Sequence, residues 1–216
     1  NIEGIIVCSS SSVITKRFSS NAYDKDLFEK LDQSERKIEK LCRKFKINCV
    51  IIRPSLIYGN IGKYEDNNLS KIKKMMQFFP ILLFPSTSGN RQPIHITQLA
   101  SLINFYINIL EDSKVNEILK ISVGGDSIIS YKRMLLILSK SLLNKNHKRK
   151  CRIIIIPENV FYFALSILII INPRLFASFQ RIGSNLSGFS KVSEILGVKS
   201  QEFPLDDLWR KKKFPQ

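Results

Sequence analysis

The chain has 216 residues and 24.9 kDa, and its 34 Lys and Arg outnumber 18 Asp and Glu to give a net charge of +16. That length allows one domain, or one domain with an appendage, and an apolar fraction of 44% excludes a disordered or low-complexity chain. Cys8, Cys42, Cys49 and Cys151 contain no CxxC pair and no histidine stands at ligand spacing. A metal site or disulfide scaffold is therefore not expected, and a reducing cytoplasm fits. The densest basic runs, residues 145–150 and 210–213, read first as solvated surface, although such a field also attracts phosphates, nucleic acid or anionic lipid. Neither a zinc-finger spacing nor an RNP-like aromatic pattern accompanies them, so no specific nucleic-acid partner is expected.

The chain opens on Asn1 and runs at once into strand-like residues, from which a longer protein with an upstream segment is expected. Residues 5–8, Ile-Ile-Val-Cys, form an unalternated apolar run that suits a strand buried on both faces of a parallel sheet. Ser9, Ser10, Ser11 and Ser12 follow at its carboxyl end, where open α/β sheets place their ligands. The spacing predicts a helix over 25–46, with Leu27, Leu31, Ile38, Leu41 and Phe45 on one stripe. Residues 49–52 are a second unalternated strand ending in Arg53-Pro54, so strand, helix and strand make a right-handed βαβ unit.

A basic amphipathic helix is predicted over 69–84, then an extended piece at 92–96 and a helix over 97–110 with Thr97 as N-cap. Residues 118–123 read as a strand closed by Gly124-Gly125. Ser130 caps a helix to about 143, and 152–156 is a further strand. The most apolar stretch, 160–171, rises about 18 Å as a helix against a hydrocarbon core of about 30 Å, so it does not span a membrane. Two readings stay open: a buried helix, or a helix lying in the lipid interface between basic flanks. A short helix over 191–196, ended by Gly197, follows.

In this order, Val7-Cys8-Ser9-Ser10-Ser11-Ser12-Val13, Ile51-Ile52-Arg53-Pro54-Ser55-Leu56-Ile57-Tyr58-Gly59 and Arg91-Gln92-Pro93-Ile94-His95-Ile96 resemble motifs of one family. It is the extended short-chain dehydrogenase/reductase family, the NAD-dependent epimerase/dehydratases of nucleotide sugars. Ser122-Val123-Gly124-Gly125 and Ile195-Leu196-Gly197-Val198 match further on. The resemblance implies an α/β fold: the C-terminal portion of a Rossmann-like parallel sheet plus a smaller, mostly helical substrate lobe. Residues 1–59 and 91–123 would form the partial NAD(P)-binding domain, and 60–90 and 124–216 the substrate lobe. The family's GxxGxxG phosphate turn has no match among the nine glycines, so NAD or NADP is expected to bind weakly without an upstream segment.

The chemistry implied is hydride transfer to NAD(P) from a nucleotide-sugar-like small molecule while a tyrosine, tuned by a lysine four residues on, takes a hydroxyl proton. Ser10 matches the family's catalytic serine. Counting back from Ser34-Glu35 puts Leu27 and Leu31 in the tyrosine and lysine places, and no YxxxK occurs anywhere. Tyr23 and Lys25 are the nearest substitutes. Either another proton carrier acts, or the domain is a non-catalytic binding or assembly module, with a membrane surface as one setting. Ser9, Pro54 and Ser55 would lie beside the nicotinamide, and Ser11 and Arg91 toward the substrate, Arg91 on its diphosphate. Leu56 replaces an epimerase asparagine, His95 is read as a structural core residue, and Gln98 stands for the family's aspartate. A homodimer through the 25–46 helix, a cytoplasmic location and peripheral contact with the inner membrane face through 160–171 complete the expectations.

Overall fold

Both unalternated apolar runs near the start of the chain form strands of one parallel sheet. The computed structural model describes residues 2–19, 21–61, 64–112, 117–143 and 151–205; the basic runs at 145–150 and 210–213 lie outside them. The chain divides into two units. The first comprises Asn1–Ile57, Gln92–Ser127 and Gly188–Phe203, and the second Tyr58–Arg91, Ile128–Ser187 and Pro204–Gln216. Residues 188–203, assigned to the substrate lobe by sequence, thus fall in the first unit.

The first unit is a mixed α/β structure around a parallel four-stranded sheet, ordered Gly4–Cys8, Asn48–Pro54, Ile118–Gly124 and Ser190–Lys191. Val7 pairs with Ile51 and Ile51 with Lys120, which fixes the register across the first three strands. Asn48–Pro54 is flanked on both sides and almost wholly buried. Its side chains alternate between two layers, as the period of two requires. Cys49 and Ile51 meet Cys42 and Ile38 of the helix Ala22–Phe45. Val50 and Ile52 instead face Leu99, Leu102 and Tyr106 of the helix Ile96–Asp112. The strand Gly4–Cys8 packs Ile6 against one layer and Ile5 and Val7 against the other, as its pattern predicts, but it is only half-buried, since among the described residues only Asn48–Pro54 pairs with it.

The helix Ala22–Phe45 starts three residues earlier than predicted. Asn21 holds its first turn, its side-chain oxygen accepting from the N–H groups of Tyr23 and Asp24. Its buried positions are Asp24, Glu35 and Cys42, while Leu27, Leu41 and Phe45 of the expected apolar stripe are exposed. The physical reason is Glu35: a cation on the sheet pulls this carboxylate inward and turns the expected stripe partly to the surface. Thr97 is not the cap of the next helix. His95 takes that part, its Nδ1 accepting from the Thr97 N–H at 3.1 Å.

In the second unit the helix Leu69–Phe78 stops before Pro80, and Ile81–Pro85 is a strand, which corrects the continuous helix predicted to residue 84. Pro80 cannot continue a helix, and the apolar run beyond it pairs in parallel with Arg152–Ile156. Ser130 caps Tyr131–Leu143 as expected, accepting from the Arg133 N–H at 3.2 Å. The 160–171 stretch lies within the helices Glu158–Leu165 and Leu168–Ile171, with Ser166 and Ile167 keeping helical torsions between them. Phe161 is buried, but Val160, Phe163, Ile167, Ile169, Ile170 and Ile171 are exposed, so the buried-helix reading fails. Among the described residues no helix is long and apolar enough to cross a membrane.

Candidate functional site

Strand ends are brought together by the ladder itself. Beyond the strand Gly4–Cys8, the Ser9 N–H donates to the Ile52 carbonyl at 2.7 Å and the Ser11 N–H to the Pro54 carbonyl at 3.0 Å. On the other side of Asn48–Pro54, the Ser55 N–H donates to the Val123 carbonyl at 2.8 Å. Ser9, Ser10, Ser11, Pro54 and Ser55 therefore share the carboxyl edge of the sheet, the position at which open α/β sheets hold ligands.

The hydroxyls of Ser9, Ser10 and Ser55 are each hydrogen-bonded. Ser10 Oγ accepts from the Ser12 N–H at 3.1 Å and so opens the short helical turn Ser12–Thr15. The Ser9 hydroxyl donates to Glu35 Oε1 at 2.6 Å, and that of Ser55 donates to the Gln92 carbonyl. Tyr23 and Lys25 sit exposed in the first turn of the long helix, on either side of Asp24, whose carboxylate pairs with Lys16 at 2.8 Å. Leu27 is exposed and Leu31 half-buried on the same helix.

Arg91 belongs to the second unit and is 6% exposed. Its guanidinium donates to the carbonyls of Asn90, Arg181 and Ser184 and lies 4.9 Å from the centre of the Tyr131 ring. Burial, with Arg181 nearby, lowers its pKa against the opposing influence of Tyr131. As placed, this fork is occupied by backbone oxygens.

Sequence reasoning passed over a charged cluster beneath the edge. Glu35 is 2% exposed and receives Arg53 through Nε at 3.0 Å and through a second guanidinium nitrogen. Lys120 Nζ, on the next strand, lies 2.9 Å from Glu39 and 4.0 Å from Glu35. Burial alone would raise the Glu35 carboxyl. Hydrogen bonds from Arg53 and Ser9, with the charges of Arg53 and Lys120, more than reverse this and hold it below the usual carboxylate range. The signal was available: Leu31, Glu35, Ile38 and Cys42 fall on one helix face, and a carboxylate on such a face requires a cation opposite. Beside Arg53 opens a cavity of about 250 Å³ lined by Arg17, Arg36, Asp32 and apolar side chains.

Two further polar side chains, the fully buried Gln92 and the half-buried Asp126, tie chain segments together. Gln92 donates through Nε2 to the carbonyls of Gly125 and Phe189, each at 2.9 Å, while its oxygen accepts from the N–H groups of Gly188 and Phe189. Asp126 accepts from the Ser193 and Gln201 N–H groups and from Gln98 Nε2. His95 is fully enclosed, and burial lowers its pKa to about 4, so it is a neutral core residue. Among the described residues no cluster of three or more metal-ligating side chains occurs.

No family model matches the chain. A solved UDP-N-acetylglucosamine 4-epimerase from Methanobrevibacter ruminantium, in complex with UDP-N-acetylmuramic acid, superposes with a TM-score of 0.58 at 14% identity. The match covers 97% of this chain and 61% of that one. A UDP-galactose 4-epimerase gives 0.55 at 12% identity over 71% and 51%. MoeE5, in complex with UDP-glucose and NAD, gives 0.53 at 14% identity over 93% and 60%. In sequence, the chain is 33% identical over 101 residues to a mitochondrial protein of Dictyostelium discoideum, NADH dehydrogenase [ubiquinone] 1 alpha subcomplex subunit 9. That match covers 45% of this chain and 25% of the relative. The chain thus spans between half and about three fifths of these solved structures and matches a quarter of the curated relative. Its fold is the Rossmann-like α/β fold of these epimerases.

Proposed function

We propose that the chain supplies the nicotinamide side of an NAD(P)-binding Rossmann-like domain and holds the coenzyme without a tyrosine–lysine proton relay. The observation that carries this reading is the convergence of Ser9–Ser11 with Pro54-Ser55 on one sheet edge, next to a helix that offers Leu27 and Leu31 in the relay positions. The chemistry of these residues suits the nicotinamide end of such a coenzyme: short hydroxyls would meet its carboxamide and a proline its ring face, and Glu35 ties Ser9 to Arg53 beneath them. The coenzyme, when bound, would supply hydride chemistry. Ser10 would orient its ring or a substrate oxygen, and Pro54 would limit the ring's approach. Affinity is expected to be weak without a glycine-rich phosphate turn, which the sequence does not contain.

A second reading keeps catalysis. Here the protein would be an epimerase/dehydratase-like enzyme on a nucleotide sugar, the class named in the solved neighbours, with Tyr23 and Lys25 carrying the proton. Their exposure at the start of the long helix favours it. The lack of any ionisable group at Leu27 and Leu31 and the engagement of Arg91 by carbonyls weigh against it.

Titrating the full-length gene product with NADH and NADPH, followed by nicotinamide fluorescence, tests both. Saturable binding is expected, weakened several-fold by Ser10→Ala, as loss of one hydrogen bond of about 1 kcal/mol implies. No saturable binding would overturn both readings. Reduction of bound NAD(P) by any of a panel of nucleotide sugars would overturn the first and support the second.

A further inference from the structure

The net charge is not spread over the chain. Among the described residues, 14 Lys and Arg meet 13 Asp and Glu within the boundaries of the first unit, and 10 meet 3 within those of the second. The described part of the second unit therefore carries +7 against +1 for the first. It also carries exposed apolar side chains in quantity. Phe78, Phe79, Ile81 and Leu83 are exposed around the end of Leu69–Phe78 and along the strand that follows, as is Ile154 on the paired strand. Ile81, Leu83 and Ile154 share one face of this two-stranded ladder, since paired residues of parallel strands point the same way and alternate residues repeat.

The helical run 158–171 adds a stripe. Val160, Phe163, Ile167, Ile170 and Ile171 recur at steps of three and four, which places them along one side, with Phe163 82% and Ile170 87% exposed. Glu158 is the only charged residue in the run. Arg152 precedes it, and Arg174 and Arg181 follow. An exposed apolar stripe inside a strongly cationic unit has two complementary demands, hydrocarbon and negative charge. A nucleic acid meets the charge but not the aliphatic stripe, and an ordinary acidic protein surface does the same.

We infer that the second unit docks onto an anionic phospholipid surface, with the 158–171 run lying in the plane of the headgroups and its apolar stripe turned to the acyl chains. The run is too short to span, so the contact is peripheral and sensitive to ionic strength. This inference does not depend on coenzyme binding.

Cosedimentation of the full-length protein with phosphatidylcholine vesicles, with and without phosphatidylserine, provides the test. Binding is expected only with phosphatidylserine, falling at least about tenfold when salt rises from low to several times physiological strength. Phe163→Asp with Ile170→Asp should weaken binding by about tenfold or more. These side chains are exposed, so circular dichroism and the melting temperature should stay unchanged. Phe45→Asp, an exposed aromatic in the first unit, should bind as wild type does. No association with either vesicle overturns the inference, as does equal loss for Phe45→Asp. Two other results also overturn it: a lipid-free dimer abolished by the double substitution, which would assign the stripe to a second copy, and RNA binding lost on the same substitution.

Discussion

Glu35 faces the sheet from a helix whose neighbouring inward positions are Ile38 and Cys42. Its buried charge is compensated by Arg53, and removing one partner leaves the other stranded. Glu35→Ala should therefore cost about 3–5 kcal/mol of unfolding free energy in urea titrations, far more than truncating the exposed Glu29. Because its carboxyl is held low, the stabilisation is complete above the unfolded value of about 4.3 and is lost as pH falls through the folded value. His95 acts in the neighbouring window. Its folded pKa of about 4 lies under an unfolded value of about 6.5, so between them the unfolded chain binds more protons. Stability should fall as pH drops through that range, by up to about 1.4 kcal/mol per pH unit, and His95→Asn should flatten the slope. A structural role for His95 was legible from its apolar neighbours. That Glu35 faces inward was legible from its helix face, but its partner Arg53 was not, because a carboxylate 18 positions from an arginine has no periodic signature.

At the scale of elements, largely apolar runs located the longer strands other than Ile81–Pro85, and period-3.6 patterns located most of the helices; the two-residue strands left no such signal. Failures have identifiable causes. A prolonged apolar run hid the break at Pro80, and the polar anchor Glu35 rotated the long helix relative to its hydrophobic stripe. The Gly124-Gly125 turn was legible as a stop, but its reason lies in packing. A Cβ on Gly125 would come within 2.0 Å of the Pro93 carbonyl oxygen, and one on Gly124 within 2.4 Å of the Gln92 side chain. Gly125→Ala should thus destabilise by about 1–3 kcal/mol or more in thermal melts. Gly183→Ala, whose nearest neighbour would stand at 3.6 Å, serves as the tolerated control. The strand Gly4–Cys8 was recognised as a strand, but its half-exposure depends on how many partners flank it, a tertiary property invisible in five residues.

For the molecule as a whole, total charge was read correctly from composition while its uneven division was not, since that requires knowing which segments fold together. The first unit draws on three separated stretches, and Gln92 joins all of them: its carbonyl accepts from the Ser55 hydroxyl of the first, and its side chain bonds Gly125 within its own and Gly188-Phe189 of the last. During synthesis this has a direct consequence. The first unit cannot finish assembling until Phe203 has left the ribosome, although its first two strands emerged some 150 residues earlier. A nascent chain halted before Gly188 would carry the Gln92 amide with three of its four side-chain hydrogen bonds unmade, and so should be retained by chaperones or degraded, whereas release just past Phe203 should permit native closure.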